Sequence, residues 1–176
     1  KCESSAQTLL KLIVENFPCY RDSALFHRKE VSFLKRAQIL VADIWGCFEG
    51  KGCGYFNDID SITMFADYRV PQVLVYRGVL RYSEELLQKL NKDEMFQFGE
   101  PMEVEIRGCS IQAVEELVHS LKAKLKNKEF GDVALTFPPQ SVNSILVDNY
   151  LWTYRRLHSV EVSKVVPFHR IRTIFY

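Results

Sequence analysis

The sequence SITMFADYRVPQVL, at residues 61–74, places charged side chains among aromatic and aliphatic ones. A buried carboxylate or guanidinium is costly unless it is paired or used in chemistry, which singles out Asp67 and Arg69. Pro71 predicts the first turn of a helix, because proline lacks the amide hydrogen that would be left unbonded there. Asp67 and Arg69 then lie just before a helix N-terminus, where anions are favoured. Asp67 is therefore either a plain helix cap or a site residue.

A second carboxylate, Asp148, stands in the segment ILVDNYLW at residues 145–152, directly after three aliphatic residues. Burial would raise the pKa of this carboxyl, whereas helix N-terminal amides would lower it. Asp148 is either the N-cap of a helix or a carboxylate tuned for chemistry. Trp152, four residues later, is expected on the same helix face. An aromatic ring beside a carboxylate suits a planar heterocycle joined to a sugar.

The spacing of apolar residues along the rest of the chain predicts a mainly α fold. Helices are predicted at residues 5–17, 31–48, 56–65, 71–80, 83–91, 110–126 and 141–157. Loops are predicted at residues 19–29 and 129–140. The alternating residues 104–107 form either a short strand or the lead into a helix. We therefore expect six to eight helices with at most a minor strand pair, as a single helical domain over residues 1–176 or as the C-terminal part of a larger all-α domain.

Charge and cysteine content restrict the function. The chain has 23 Lys and Arg against 22 Asp and Glu, a net charge of +1, which disfavours a binder of the nucleic-acid backbone. A nucleotide-sized anion needs only one or two cations. Five cysteines without a C-x-x-C motif predict no full disulfide framework and no zinc site, which favours reduced thiols and a cytoplasmic or nuclear location. No signal-type segment or long apolar run is present, so no membrane association is expected.

Three polar residues, Lys35, Arg36 and Asp43, interrupt the otherwise apolar helix predicted at residues 31–48. Spacings of seven and eight residues place Asp43 on the same helix face as both cations. Together they form either one solvated helix edge or a polar rim over a pocket.

Four segments resemble the queuosine salvage protein family, in the same order and over nearly the whole chain. They are KRAQILVADIW at residues 35–45, TMFADYRVPQ at 63–72, VEIR at 104–107 and VDNYLW at 147–152. The resemblance implies a queuosine 5'-phosphate N-glycosylase, a hydrolase that cuts the bond between a 7-deazaguanine-type base and ribose and releases queuine for salvage into tRNA modification. It also implies a fold similar to the helix-hairpin-helix DNA glycosylases. Family members are considerably longer, so this chain resembles their C-terminal half, and an N-terminal half is an expected partner.

The resemblance also suggests roles for individual residues. Hydrolysis of an N-glycosidic bond passes through an oxocarbenium-like transition state, by analogy with O-glycosides. Asp148 is expected to stabilise the developing positive charge directly or by orienting water. Asp67 is expected to bind the base or its cyclopentene-diol appendage, or to be the catalytic carboxylate instead. The expected substrate-binding residues are Phe65, Tyr68, Arg69, Trp152, Arg36 and Lys35, with Arg155 and Arg156 behind them. The expected substrate is queuosine 5'-monophosphate, and neither a metal nor a cofactor is expected.

Two other classes of function stay open at this point. A tRNA-binding or nucleic-acid glycosylase module would share the fold, but the balanced charge weighs against it. A non-catalytic interaction fragment would expose an apolar face to a partner.

Overall fold

The computed structural model of the chain describes residues 2–131 and 137–176, and this part of the chain is mainly α-helical, as predicted. The α-helices are α1 (Ala6–Asn16), α2 (Lys35–Cys47), α3 (Val70–Tyr76), α4 (Glu84–Asn91), α5 (Pro101–Lys126), α6 (Ser144–Leu157) and α7 (Ser159–Val165). Short 3-10 turns lie at Pro18–Tyr20, Gly52–Gly54, Ile59–Ser61 and Pro139–Ser141. Within the described ranges, no helix has both the length and the apolar character that crossing a membrane requires.

The strands form two short pairs. β1 (Ser23–Phe26) and β2 (Lys29–Ser32) form an antiparallel hairpin, and β3 (Met95–Phe96) pairs in parallel with β4 (Arg170–Ile171). The hairpin replaces the loop predicted at residues 19–29 and the first residues of the helix predicted from residue 31. Its two turn residues, His27 and Arg28, have positive φ angles of 46° and 66°. Such turns favour Asn and Gly, so a His-Arg turn gives no hairpin signal in the sequence.

Several predicted boundaries were wrong. Residues 104–107 lie inside α5, which begins at Pro101, so the strand alternative is excluded. Residues 56–65 contain only the 3-10 turn Ile59–Ser61 in place of a helix. α3 ends at Tyr76 rather than at residue 80, and Gly78 follows with a φ of 72°, a conformation that ends helices. Of the loop predicted at residues 129–140, residues 132–136 lie outside the described part of the chain.

The segment at residues 61–74 runs through the core. Ile62 and Phe65 pack with α1 and α2, whereas Met64 and α3 pack against α5 and α6. Ala66 belongs to a further cluster with the β1–β2 hairpin and α5. This one stretch therefore connects three parts of the hydrophobic core, which fixes its backbone between the helices.

A buried ion pair links the same stretch to two other elements. Arg107 on α5 is fully buried, and its guanidinium donates to both carboxylate oxygens of Asp22, at 2.8 and 2.5 Å. Its Nε donates to the carbonyl of Ala66 at 3.1 Å, and Glu103 lies 3.5 Å away. Asp22 also accepts from the backbone amide of Lys35 at 3.1 Å. Arg107 thus sets the start of α2 and residues 61–74 relative to α5.

We expect Asp22→Asn to lower the free energy of unfolding by roughly 3 kcal/mol, because it leaves the Arg107 charge buried and incompletely paired. Asp60→Asn is the matched control, since Asp60 forms an ion pair with Lys122 at 2.9 Å with about half of its side chain exposed. That change should cost less than about 1 kcal/mol. Urea denaturation at pH 7 measures both. Equal effects of the two substitutions would contradict the central role of the buried pair.

Candidate active site

Asp67 begins α3. Its Oδ1 accepts from the amides of Arg69 and Val70, each at 2.9 Å, and Pro71 lies in the first turn of the helix, as predicted. Asp67 is only 6% exposed. Because one carboxylate oxygen makes both backbone contacts, the other is available for a ligand. Asp67 can therefore both cap the helix and contact a ligand.

Asp148 lies inside α6 rather than at its start, so its interpretation as an N-cap was wrong. The cap is Asn143, whose side chain accepts from the amide of Leu146 at 3.0 Å. The Asp148 carboxylate, 4% exposed, crosses to another element and accepts from the amide of Phe65 at 3.0 Å. Both carboxylates are thereby fixed by the same short segment of residues 65–70.

The two carboxylates line one cavity of about 310 Å³, here named the acid-pair cavity. Its lining residues are Lys35, Ile39, Asp43, Phe65, Asp67, Asp148, Asn149 and Trp152. In the described part of the chain, no hydrogen bond engages Oδ2 of Asp67 or Oδ1 of Asp148, and no fully buried side-chain oxygen lacks a partner. These two oxygens therefore keep access to the cavity.

Burial and mutual repulsion alter the charges of this site. Burial raises the pKa of Asp148 to about 7, the Asp67 carboxylate adds to the increase, and the Phe65 amide and the Lys35 ammonium oppose it. Burial likewise raises the pKa of Asp67 against two backbone amides and Lys35. Asp148 therefore keeps its proton to a higher pH than an exposed carboxyl does, and its ionised form is still accessible near neutral pH.

Lys35 brings a cation to the two carboxylates. It is the first residue of α2, and burial lowers its pKa while Asp67 and Asp148 raise it. The preceding residue, Leu34, has a left-handed conformation with a φ of 49°, which is strained for a leucine. The Leu34 amide bonds to the Asp22 carbonyl at 3.2 Å, and this contact offsets the strain. The buried ion pair thus also places Lys35.

The Trp152 ring forms one wall of the cavity, on the same helix face as Asp148, as predicted. Two guanidinium groups lie over it, with Arg69 at 5.3 Å and Arg156 at 4.9 Å from the ring centre. The part of the chain that the structure describes offers neither guanidinium an acidic partner within 4 Å. The rim beside Trp152 can therefore attract an anion.

Three predicted substrate-binding residues, Arg36, Tyr68 and Arg69, do not line the acid-pair cavity, although Arg69 lies over the Trp152 ring. The Arg36 guanidinium donates to the carbonyl of Ile174 at 2.8 Å and lies over the Tyr20 ring. The Tyr68 ring packs against Phe168, with ring centres 5.2 Å apart, and lines a different cavity. The structure brings together Lys35, Phe65, Asp67, Asp148 and Trp152, with Arg69 beside them.

Two residues that matter for the site were missed from the sequence alone. Asn149 lines the cavity directly after Asp148, and Arg107 holds the backbone before Asp67. Arg107 ends the segment VEIR at residues 104–107. Its spacing of four residues from Glu103 was the available signal for an ion pair within a helix. Asp43 lines the cavity together with Lys35. This supports the interpretation of these residues as a polar rim of a pocket rather than as a solvated helix edge.

Other parts of the described structure hold fewer groups that could act in catalysis. A cavity of about 260 Å³ near Tyr82 and Ile106 lacks a buried carboxylate pair. Across residues 2–131 and 137–176, no three His, Cys, Asp or Glu side chains gather closely enough to hold a metal ion.

Comparison with known proteins gives a consistent result. A family model described as "Queuosine salvage protein" matches residues 1–176. A protein of Mus musculus named queuosine 5'-phosphate N-glycosylase/hydrolase is 55% identical over 176 residues, covering 100% of this chain and 50% of the relative. Proteins with the same name from Schizosaccharomyces pombe and Sphaerobacter thermophilus are 42% and 39% identical, covering 100% and 98% of this chain and 49% and 48% of the relatives. The chain spans about half the length of the curated relatives it matches.

The raised pKa of Asp148 predicts a stability that depends on pH. Ionisation of a carboxyl whose pKa rises from 3.8 to about 7 on folding destabilises the folded state, so this penalty is absent below pH 4 and complete above pH 7. Asp148→Asn removes the charge and keeps an acceptor for the Phe65 amide. Relative to the unmodified chain, we expect its gain in unfolding free energy to grow from near zero at pH 4 to roughly 2–4 kcal/mol at pH 8.

Urea denaturation across this pH range measures the gain. Glu30→Gln, at an exposed position of β2, is the control and should change little with pH. A gain for Asp148→Asn that did not vary with pH would contradict the buried, raised-pKa carboxyl.

Proposed function

This chain belongs to the queuosine salvage protein family, and from that membership we propose that its acid-pair cavity hydrolyses the N-glycosidic bond of queuosine 5'-monophosphate and releases the base queuine. The observation that carries the proposal is the pair of buried carboxylates, Asp67 and Asp148, which share one cavity with an aromatic wall. The names of the relatives supply the substrate class, and the geometry supplies groups for the chemistry.

The proposed reaction gives the two carboxylates different roles. In its ionised form Asp148 takes a proton from a water molecule and stabilises the positive charge that develops on the sugar. The water oxygen bonds to the anomeric carbon as the bond from that carbon to the base nitrogen breaks, and the base leaves with the electron pair. The proton that Asp148 took from the water passes to the departing base, and the free oxygen of Asp67 accepts a hydrogen bond from an N–H group of that base. Phe65 and Trp152 provide apolar walls for the ring.

The 5'-phosphate has candidate partners on the rim. Arg69 and Arg156 both lie over the Trp152 ring, and Lys35 lines the cavity together with the carboxylates. A guanidinium matches a phosphate through parallel hydrogen bonds, which makes the two arginines the stronger candidates. Arg155 is less suited, because its Nε donates to the buried Gln72 at 2.8 Å.

The chain covers half of its relatives, so the remaining half is proposed as a partner of this site. Both carboxylates and the Trp152 wall come from this chain. The proposed contribution of the other half is to cover the open side of the cavity and exclude water from it.

Base release from queuosine 5'-monophosphate, followed by chromatography, tests the function. We expect Asp148→Asn to lower kcat by about 10²–10⁴-fold, because it removes the carboxylate that activates water. Asp60→Asn, at a surface ion pair, should leave kcat unchanged. Normal turnover by Asp148→Asn with loss in Asp67→Asn would reverse the two roles. The same assay on the whole mouse relative and on its matching half tells whether one half suffices.

The pH dependence of kcat/KM provides an independent test of the carboxylate pair. Because Asp148 acts as a carboxylate, kcat/KM should rise with pH, with a half-point near its pKa of about 7. Asp67→Asn removes a negative neighbour and should move the half-point to lower pH. Lys35→Met removes a positive neighbour and should move it to higher pH. Shifts in the same direction, or none, would show that Asp148 is not the titrating group.

A further inference from the structure

The acid-pair cavity continues into a second opening between α2 and α6. This opening has a volume of about 330 Å³ and is here named the α2–α6 groove. Its lining residues are Ala42, Asp43, Trp45, Gly46, Cys47, Phe65, Ile145, Leu146 and Asn149. Three of them, Asp43, Phe65 and Asn149, also line the acid-pair cavity. A ligand that occupies the cavity can therefore extend into the groove past these three side chains.

The chemistry of the groove differs from that of the cavity. Its walls are apolar, with the Trp45 ring and the half-exposed Leu146 side chain, whereas its entrance carries one carboxylate and one amide. In the described ranges, no hydrogen bond or ion pair engages the side chains of Asp43 or Asn149. The entrance therefore offers a charge for a cation and hydrogen-bonding groups for hydroxyls, and the walls accept a small apolar ring.

We propose that the α2–α6 groove is a specificity subsite for the substituent of the base, with Asp43 as the partner of a secondary ammonium and Asn149 as the partner of a ring diol. This inference rests on the proposed function. Queuine carries a cyclopentenediol joined to the base through an aminomethyl nitrogen, which is cationic near neutral pH. A cavity of about 310 Å³ lies at the lower limit for ligand pockets, which span roughly 300–1,000 Å³. The base and sugar fill such a space, so the substituent needs the additional room.

The chain offers a variant that fills the groove without disturbing its walls. Gly46 lines the groove within α2, and a Cβ added there would meet nothing within 4 Å. Gly46→Leu therefore places a side chain in the open space and replaces a poor helix former by a good one. Gly108 is the matched control, because it is an exposed glycine within α5 whose added Cβ also meets nothing within 4 Å, and it lies outside both openings.

The test compares nucleotides with and without the substituent. The form of the protein that releases base is assayed with queuosine 5'-monophosphate and with 7-deazaguanosine 5'-monophosphate, which lacks the substituent. We expect Gly46→Leu to lower kcat/KM for the first nucleotide by about 10-fold or more and to leave the second within about 2-fold. Gly108→Leu should change neither value.

The charge of Asp43 is tested separately with a third nucleotide, 7-aminomethyl-7-deazaguanosine 5'-monophosphate, which keeps the amine and lacks the diol ring. Asp43→Asn should lower kcat/KM by roughly 2–5-fold for both amine-bearing nucleotides and leave 7-deazaguanosine 5'-monophosphate unchanged. Asp43 is exposed, so this change leaves the fold intact even if Gly46→Leu does not fold. Glu30→Gln controls for the loss of one surface charge.

The outcomes separate this inference from the proposed function. Equal effects of Gly46→Leu and of Asp43→Asn on nucleotides with and without the substituent would overturn the subsite and leave the hydrolase proposal standing. Absence of base release from every nucleotide by the unmodified protein would overturn both.

Discussion

The buried guanidinium of Arg107 is the constraint on which the arrangement of this chain depends. A buried charge is destabilising unless it is paired and hydrogen-bonded, and Arg107 pairs with Asp22 and donates to the Ala66 carbonyl. Asp22 in turn accepts a hydrogen bond from the backbone amide of Lys35. Ala66, which directly precedes Asp67, and Lys35, the first residue of α2, are thereby fixed to the same helix, α5. The two sides of the acid-pair cavity are held by a single charged group that does not line it.

The acid-pair cavity holds two buried carboxylates, Asp67 and Asp148, at a cost in folding free energy. Burial, with a smaller contribution from repulsion by the Asp67 carboxylate, raises the pKa of Asp148 to about 7. The backbone amides of Phe65, Arg69 and Val70 fix both groups in place and offset part of this cost. A leucine in left-handed conformation precedes the cation that faces them. Strain and repulsion gathered around one cavity are typical of a site whose geometry serves chemistry.

Local patterns gave the fold class and the helices with clear signals. Apolar spacing predicted the amphipathic helices, and Pro71 predicted the start of α3, because both signals act within a few residues. The β1–β2 hairpin was missed because its turn residues are not the usual ones. The start of α5 was missed because the alternation at residues 104–107 is equally compatible with a helix that buries Glu103 and Arg107. The likeness to helix-hairpin-helix glycosylases stays a prediction.

The site was less accessible to sequence reasoning than the fold, and for a physical reason. Asp67, Asp148, Phe65 and Trp152 were recognised because carboxylates and rings in apolar segments are costly locally. Which side chains meet in one cavity is decided by pairings more than 80 positions apart, such as that of Phe65 with Asp148. Arg36 was included for its charge, yet its guanidinium is used by the carbonyl of Ile174. The type of a residue indicates which chemistry its side chain can perform. Only its tertiary contacts decide whether that side chain is available at the site.

The proposed substrate is a single nucleotide rather than a nucleic-acid strand, and the distribution of charge around the cavity supports this proposal. A polynucleotide is held by a row of cations along its backbone, and its affinity grows with each phosphate that is neutralised. Here the chain has almost no excess of positive charge, and the cations near the cavity are Lys35, Arg69 and Arg156. That number is enough for one phosphate dianion and little more. A free nucleotide also needs no unstacking from a strand before its base enters a narrow cavity. The charge and the size of the cavity therefore support the same class of substrate that the names of the relatives indicate.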